Sequence, residues 1–294
     1  MRRCLLGLVV ASGLWGGAVC GTKYALAGFG PVTLLAVALA AAAAVLWAML
    51  LARGYRAPRT WWLPVLLGLL EPALAYLADT LGLSLTSAVH GALLSGLESA
   101  VVVALAAILL RETVSTPAAV AVLMALAGLA VLAGTGGGRG TAVGDLLVAG
   151  GVLSASLYTI VAKRFGDDSD PLSLTTWQFT VAAIATGGAM TARWATGAER
   201  LPAAVPARFW LAAALVGVAG YGVSFLLFNS VISRVGATQA AVVLNLIPVF
   251  AFTGATVFLD ERVTRGDVLG AALVGSSVVY FTVADHRAAA VTGA

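Results

Sequence analysis

Long apolar runs alternate with short polar or basic segments along the whole chain. Each run holds about 17–25 residues, which is the length that a helix needs to cross the hydrocarbon core of a bilayer. The pattern predicts an all-α protein with ten transmembrane helices, near positions 4–26, 31–52, 61–82, 87–110, 116–134, 145–163, 171–192, 209–230, 237–259 and 267–284.

The composition supports the same interpretation. Of the 294 residues, 61% are hydrophobic and 10% are charged, and the mean hydropathy is +1.00. Because a soluble domain carries about 25% charged residues, we predict an integral membrane protein whose surroundings are a lipid bilayer. The net charge of +4 comes from short basic groups between apolar runs, without a basic stripe that has interleaved aromatic residues. No nucleic-acid partner is therefore predicted.

The first apolar run contains both cysteines, Cys4 and Cys20. On one helix their separation is about 24 Å, which is too far for a disulfide. No spacing typical of metal ligands is present, so neither a metal nor a cofactor is predicted. The run could be read as a lipoprotein signal peptide because it follows a basic start. However, Val19 is large for the position before such a cysteine and the run continues beyond it, which favours an uncleaved first helix.

The distribution of basic residues predicts the orientation in the membrane. With the N-terminus inside, the inner segments hold ten basic residues: Arg2, Arg3, Arg53, Arg56, Arg59, Arg111, Lys163, Arg164, Arg234 and Arg287. The outer loops hold six: Arg139, Arg193, Arg200, Arg208, Arg262 and Arg265. Since basic residues concentrate on the cytoplasmic side, we predict cytoplasmic N- and C-termini. The outer loops 134–144 and 192–208, rich in glycine, alanine and proline, are predicted to be flexible.

The chain repeats itself at two sites. The segment LRETVS at 110–115 recurs as LDERVT at 259–264, and Lys23 and Pro31 recur as Lys163 and Pro171. We predict a first repeat at 1–134, a linker at 135–144 and a second repeat at 145–294. Each repeat holds an odd number of helices, so the second is expected to lie upside down relative to the first. Inverted repeats are common in secondary transporters, which bind solute at the midplane between them.

These positions give the chain a family resemblance. The residues that carry it are Trp15-Gly16-Gly17, Lys23, Pro31, Thr86-Ser87-Ala88, Leu110-Arg111-Glu112, Ala155 to Lys163, Pro171, Pro248 and Leu259-Asp260-Glu261-Arg262. The chain resembles the EamA-type ten-helix family of the drug/metabolite transporter superfamily over nearly its whole length. The resemblance implies an inner-membrane carrier that exports small metabolites, amino acids or toxic compounds through a cavity between two five-helix halves.

The chain also departs from this family pattern. Many relatives carry an arginine seven residues after the proline of the second helix, where this chain has Ala38 and, in the second repeat, Gln178. The proline common in the fourth helix is Ser99 here. Four ionisable residues fall where small or apolar residues are commoner: Glu71, Asp79, His90 and Glu98.

Glu71 and Glu98 are the first candidates for a functional site. At about 1.5 Å per residue, Glu71 lies roughly 15 Å inside one helix and Glu98 roughly 18 Å inside the next, so both are near mid-membrane. Ionisable residues at this depth usually serve function. Because two close carboxylates in a low dielectric cannot both stay ionised, we expect them to bind protons and a cationic or amine-bearing solute. Alternatively, both are protonated and hydrogen-bond to serines such as Ser95 or Ser99.

Several other side chains are candidates for the same site. Asp79 and His90 are expected near the outer mouth, where they form a pH-dependent latch or contact headgroup water. Lys23 either snorkels to the interface or acts as a counter-charge to Asp79 or to a solute carboxylate. Aromatic and polar candidates for the cavity wall are Trp15, Tyr76, Tyr158, Gln178, Tyr221 and Asn245. For the polar ones, hydrogen bonding between helices is an alternative role.

The predicted function is secondary transport of a small organic metabolite, amino acid or drug, most simply as a proton-coupled exporter that works by alternating access. The sequence GTGGGRG at 134–140 lacks the Lys-Ser/Thr of a phosphate-binding loop, which argues against direct use of ATP. Three alternatives remain open: an importer or exchanger, which needs a cationic cavity; a membrane-embedded enzyme that uses His90 and the acids; and a non-transporting scaffold.

Overall fold

The computed structural model describes residues 2–55, 57–58, 60–86, 91, 94–134, 141–165, 170–200, 202, 204–235, 237–258 and 265–292. Within these ranges every long regular element is helical. We label the helices α1 Arg2–Ala25, α2 Pro31–Arg53, α3 Trp62–Leu85, α4 Glu98–Leu110, α5 Thr116–Gly134, α6 Ala142–Phe165, α7 Pro171–Ala195, α8 Ala207–Val231, α9 Ala237–Leu244, α10 Leu246–Phe258 and α11 Arg265–Thr292.

Five of the helices are long and apolar enough to cross a membrane: Cys4–Ala25, Pro31–Arg53, Trp62–Leu85, Ala142–Phe165 and Ala207–Val231. Shorter apolar helices occur at Glu98–Leu110, Thr116–Gly128, Val242–Phe258 and Val268–Ser277. Large apolar side chains point outward, among them Ile108, Leu146 and Ile184, each more than 70% exposed. An all-helical protein suited to a bilayer is therefore confirmed, whereas ten spans in two inverted repeats stay a prediction.

Two helices begin with proline, as the repeat predicts. Pro31 is the first residue of α2, and Pro171 is the first residue of α7. Proline suits this position because its missing N–H would have no partner inside the helix. Asp170 precedes α7, and its carboxylate accepts a hydrogen bond from the Ser173 N–H at 3.0 Å. The same carboxylate lies 3.4 Å from Arg53 at the end of α2, which places the end of α2 beside the beginning of α7.

Helices α3, α4 and α8 each contain a π-helical segment, which in α4 is Ala106–Leu110. In α3 the segment is Leu69–Leu74, where Glu71 has non-helical dihedral angles of φ −153° and ψ 124° and precedes cis Pro72. Pro72 has no N–H, so the regular hydrogen-bond pattern stops here. The carbonyl of Leu70 accepts a 2.7 Å hydrogen bond from Ser154 of α6. In α8 the segment is Val216–Val223. Such segments are rare and frequent at functional sites.

Helices before Gly134 pack mainly against helices after Ala142. Helix α2 packs on α7 and α5 on α11. The other pairings have an equivalent in the second repeat. Helix α3 packs on α6 and α7, and its repeat equivalent α8 packs on α1 and α2. Likewise, α4 packs on α6 and on α9, and α1 packs on α10. Each pairing thus has a counterpart when the first and second parts of the chain are exchanged.

Two close approaches between helix backbones are also related by the repeat. A methyl group on Gly68 of α3 would lie 2.5 Å from the carbonyl oxygen of Gln178 in α7. A methyl group on Gly217 of α8 would collide with the carbonyl of Ala38 in α2. Small residues allow helix backbones to approach this closely. Because Gln178 is the repeat counterpart of Ala38, both crossings use equivalent sites.

The predicted outer loop at 192–208 is fastened to α2 through Glu199, although we expected it to be flexible. The Glu199 carboxylate, with 4% of its side chain exposed, accepts hydrogen bonds from the N–H groups of Val32 at 3.0 Å and Thr33 at 2.9 Å. It also accepts hydrogen bonds from the Thr33 hydroxyl at 2.8 Å and from Arg193 Nε at 3.1 Å. A carboxylate is favoured here by the helix dipole.

Replacing Glu199 by glutamine is expected to lower the free energy of unfolding by about 1–3 kcal/mol, because hydrogen bonds to charged groups are involved and buried donors lose their acceptor. Thermal unfolding of the purified protein in detergent measures this effect. Arg193→Gln is the matched control: Arg193 is 41% exposed, so its loss is expected to cost less than about 1 kcal/mol. Equal shifts for the two variants would contradict a structural role for the buried carboxylate.

Candidate functional site

A cavity lies between α1, α3, α6 and α8, with further lining residues from α4, α9 and α10. Its volume is about 750 Å³, including the part that opens to solvent. Two helices contribute regular faces. Trp15, Ala18, Val19 and Thr22 line it from α1, and Gly151, Val152, Ala155, Tyr158 and Thr159 line it from α6. A concave, mostly apolar lining that carries a few polar groups is typical of a site for a small organic molecule.

Three carboxylates line this cavity, and we call Glu71, Asp79 and Glu98 the carboxylate cluster. Glu71 stands where α3 is interrupted, Asp79 follows on the same helix, and Glu98 is the first residue of α4. The three interact electrostatically with one another. Glu71 and Glu98, predicted to lie together, thus line one cavity, and Asp79, expected near the outer mouth, lines the same cavity.

The carboxylate cluster is not neutralised by the described part of the protein. Glu71 is only 9% exposed, yet no described side chain or N–H group donates a hydrogen bond to it. No described lysine or arginine lines the cavity. Ser95 and Ser99, proposed above as partners, instead donate hydrogen bonds to the carbonyls of Gly91 and Gly96. A buried carboxylate without a donor is costly, so this site is suited to a proton or a cationic ligand.

Aromatic side chains form the wall beside the carboxylates. Trp15 Nε1 donates a hydrogen bond to the Tyr76 hydroxyl at 2.6 Å. The ring centroids of Tyr76 and Tyr221 are 4.2 Å apart, and the Tyr221 hydroxyl lies 3.1 Å from that of Thr22. These contacts hold the rings in place from three helices, and the three rings line the same cavity as the carboxylate cluster.

Phe225 packs against the aromatic rings that line the cavity. It is fully buried, and its ring lies 5.3 Å from Trp15, 5.9 Å from Tyr76 and 5.3 Å from Tyr158. The Tyr158 hydroxyl donates a 2.7 Å hydrogen bond to Asn229 Oδ1. Phe225 and Asn229 therefore fix aromatic rings of the cavity without lining it themselves.

Three predicted site residues do not line the cavity. Gln178 accepts a 3.0 Å hydrogen bond from Asn229 Nδ2 and belongs to the buried contact between α7 and α8. Lys23 Nζ donates to the carbonyls of Leu83 at 2.9 Å and Thr86 at 2.5 Å, and so caps the end of α3. Asn245 is 1% exposed between α9 and α10, and neither of its amide atoms has a described hydrogen-bond partner. His90 lies outside the described residues.

Other lining residues were absent from the predicted site. Ala18, Val19 and Thr22 share one helical face with Trp15, and Gly151 and Ala155 share one with Tyr158. Their spacing of three, four and seven positions is the helical period. Extending each predicted aromatic residue along its own helix face would have found them. Phe228 lies seven positions after Tyr221 and so carries the same signal, whereas Leu244 and Ile247 line the cavity without one.

A family model matches the chain twice, at residues 2–134 and 142–283, and its description is "EamA-like transporter family". The chain belongs to the EamA-like transporter family. The resemblance given by Trp15-Gly16-Gly17 and the repeated proline positions is thereby confirmed. The chain is a multi-pass membrane protein of the transporter class, because it combines this membership with several helices that can cross a bilayer.

Two Bacillus subtilis (strain 168) proteins, both named as uncharacterized transporters, are similar to this family member. YyaM is 28% identical over 174 residues, which cover 57% of this chain and 56% of YyaM. YvbV is 24% identical over 231 residues, which cover 76% of this chain and 72% of YvbV. The alignment with YyaM thus spans little more than half of that protein.

A solved crystal structure has the same fold. The two superpose with a TM-score of 0.75 at 21% sequence identity, and the match covers 98% of this chain and 99% of the other. At this identity the match concerns the fold alone. It includes the helices that surround the cavity.

Proposed function

We propose that this EamA family member is a proton-coupled exporter of a small organic metabolite, amino acid or drug that carries an amino group. The observation that carries the proposal is the carboxylate cluster, which lines a cavity without any described basic side chain. Glu71 and Glu98 bind protons and solute in turn, and Asp79 contributes to the same negative field. Buried ionisable groups within membrane helices mark such pathways in many transporters.

The electrostatics of the carboxylate cluster support proton coupling. Two unit charges 4 Å apart repel by about 4 kcal/mol at an effective dielectric constant of 20. The empty cavity is therefore expected to hold at least one proton on its carboxylates. A cation that enters removes the need for this proton, so solute binding releases a proton and proton binding releases solute. This competition is the minimum requirement for exchange of a cationic solute against protons.

The packing supports alternating access between two five-helix halves. The family model matches once in each proposed half, and the helix pairings exchange between the halves. The π-helical segments 69–74 and 216–223 begin seven residues after Trp62 and six residues after Trp210, so they lie at similar places in α3 and α8. In carriers built from inverted repeats, interrupted helices of this kind lie beside the solute site. We propose that these two segments are where the halves flex.

The alternatives are less well supported. Membership in a transporter family favours transport over the membrane-enzyme and scaffold hypotheses. An importer or exchanger of phosphorylated solutes needs cationic lining residues, and the described lining has none. We further propose that the protein lies in the inner membrane with both termini in the cytoplasm, as its basic residues predict, and that transport is outward.

Proteoliposomes that contain the purified protein and an internal pH-sensitive dye test this proposal. With an acidic interior, addition of an organic amine outside is expected to produce protein-dependent alkalinisation that scales with the imposed pH gradient. Asp170→Asn provides a control that keeps full activity, because asparagine also caps helices well and the partner Arg53 is 57% exposed. Absence of any proton movement with a broad panel of amines, amino acids and drugs would refute proton coupling.

A further inference from the structure

We infer that the cavity selects aromatic or apolar amines over the corresponding amino acids, an inference that rests on the proposed transport function. The two classes share an ammonium group and a side chain and differ by one carboxylate. Discrimination between them therefore depends on what the cavity offers to a negative charge. The described lining offers the carboxylate cluster and neutral groups.

A solute carboxylate would find no compensating charge among the described residues that line this cavity. Lys23 follows the lining residue Thr22 in α1. Its ammonium group donates hydrogen bonds to the carbonyls of Leu83 and Thr86, and Lys23 does not line the cavity. A helix N-terminus also attracts anions, but the first residue of α4 is Glu98 itself. The available hydroxyl donors are neutral, and each contributes only about 1 kcal/mol net.

An ammonium group, in contrast, meets acceptors and aromatic rings together. Glu71 is more than nine-tenths buried, faces the cavity and has no described donor, so an ammonium group would supply the missing hydrogen bond and charge. Trp15, Tyr76 and Tyr221 line the same cavity with aromatic rings. Cations bind such faces with about 0.5–2 kcal/mol each, most strongly where water is excluded.

The apolar part of the solute has room beside small side chains. Ala18, Ala75, Gly151 and Ala155 line the cavity, and their small volume leaves space for a ring or an alkyl group. Leu244 and Ile247 add apolar surface. A flat aromatic or compact apolar amine matches this combination better than a polyol or a strongly hydrated solute.

Matched pairs of compounds test this inference on the purified wild-type protein in detergent. Thermal unfolding is measured with phenethylamine against phenylalanine and with tryptamine against tryptophan, because a ligand of the folded state raises the melting temperature. Phenylalanine methyl ester, which keeps the ammonium group and loses the negative charge, separates charge from size. We expect the amines and the ester to bind at least tenfold more tightly than the amino acids.

Variants connect the selectivity to the carboxylate cluster. Asp79→Asn and Glu71→Gln are each expected to weaken phenethylamine binding at least tenfold, whereas Asp170→Asn leaves it unchanged. Equal or tighter binding of phenylalanine, or no binding of any amine, would overturn the inference. Transport separates the two proposals. Amine binding without proton-coupled transport would refute the proposed function alone, and proton-coupled transport of amino acids in preference to amines would refute this inference alone.

Discussion

Replacement of Gly217 by alanine is expected to prevent the protein from reaching a stable fold. The added methyl group would overlap the carbonyl of Ala38, and even the Cα atom of Ala38 would be only 2.9 Å away. Both contact atoms belong to the backbone of α2, so no side-chain rotation relieves the overlap. Helices α2 and α8 must separate, and overpacking of this kind costs about 1–3 kcal/mol or more.

Gly68→Ala is expected to have a similar effect at the equivalent crossing of α3 and α7, where Gln178 backbone atoms lie 2.5–3.1 Å from the added group. Gly187→Ala in α7 is the matched control, because no atom lies within 4 Å of its added methyl group. There alanine is expected to be neutral or to stabilise the helix by up to about 1 kcal/mol. The measurements are the yield of monodisperse protein after extraction and its thermal unfolding. Unchanged values for Gly217→Ala would show that α2 and α8 do not cross this closely.

The helices could be predicted because the membrane simplifies the problem. In hydrocarbon every backbone polar group must be bonded internally, so an apolar run of sufficient length has little alternative to a helix. The predicted windows 31–52 and 171–192 match α2 and α7 closely, since Pro31 and Pro171 mark both beginnings. The last window, 267–284, was too short, because α11 continues to Thr292 through polar residues.

Irregular features could not be predicted from local patterns. The turn at Asn245 interrupts the apolar window 237–259, which reads as one continuous helix. Glu199 looked like one charge among several in a polar loop. Its role depends on donors from α2 that lie more than 160 positions earlier. The sequence carries no local signal for partners of this kind.

The candidate site was partly predictable for a physical reason. A carboxylate in an apolar run is conspicuous, so Glu71, Asp79 and Glu98 could be identified, and the structure brings them to one cavity. Lys23 was conspicuous on the same grounds, yet its long side chain reaches the end of α3. One helical position separates it from the lining residue Thr22, which is a rotation of about 100°. Charge identifies candidates, whereas the direction of each side chain depends on how the helices pack.

Glu71→Gln combined with Glu98→Gln is expected to abolish proton-coupled transport and to leave the protein folded. Glutamine keeps the volume and removes the negative charge, so it relieves repulsion in the cavity and is expected to preserve or raise thermal stability. Each single variant is expected to lower the transport rate at least tenfold. Proteoliposome transport and thermal unfolding are measured on the same preparations, with Asp170→Asn as the control carboxylate variant.

The pH dependence of amine binding shows whether these two carboxylates bear the exchanged proton. In the wild-type protein, protons and the amine compete for the carboxylate cluster, so binding is expected to strengthen as pH rises from 6 to 8. The limit is a tenfold change in affinity per pH unit when one proton is displaced. The other described titratable groups that face the cavity are Asp79, Tyr76, Tyr158 and Tyr221.

In the double variant this slope is expected to flatten, because Asp79 is then the one described carboxylate of the cavity that still binds protons. An unchanged slope together with full transport would show that the proton travels elsewhere. Glu71 and Glu98 would then be buried acids of structural importance, a result that the stability measurement on the same variants would detect as a loss. The two measurements together therefore separate a proton-exchange site from a pair of acids that only hold helices together.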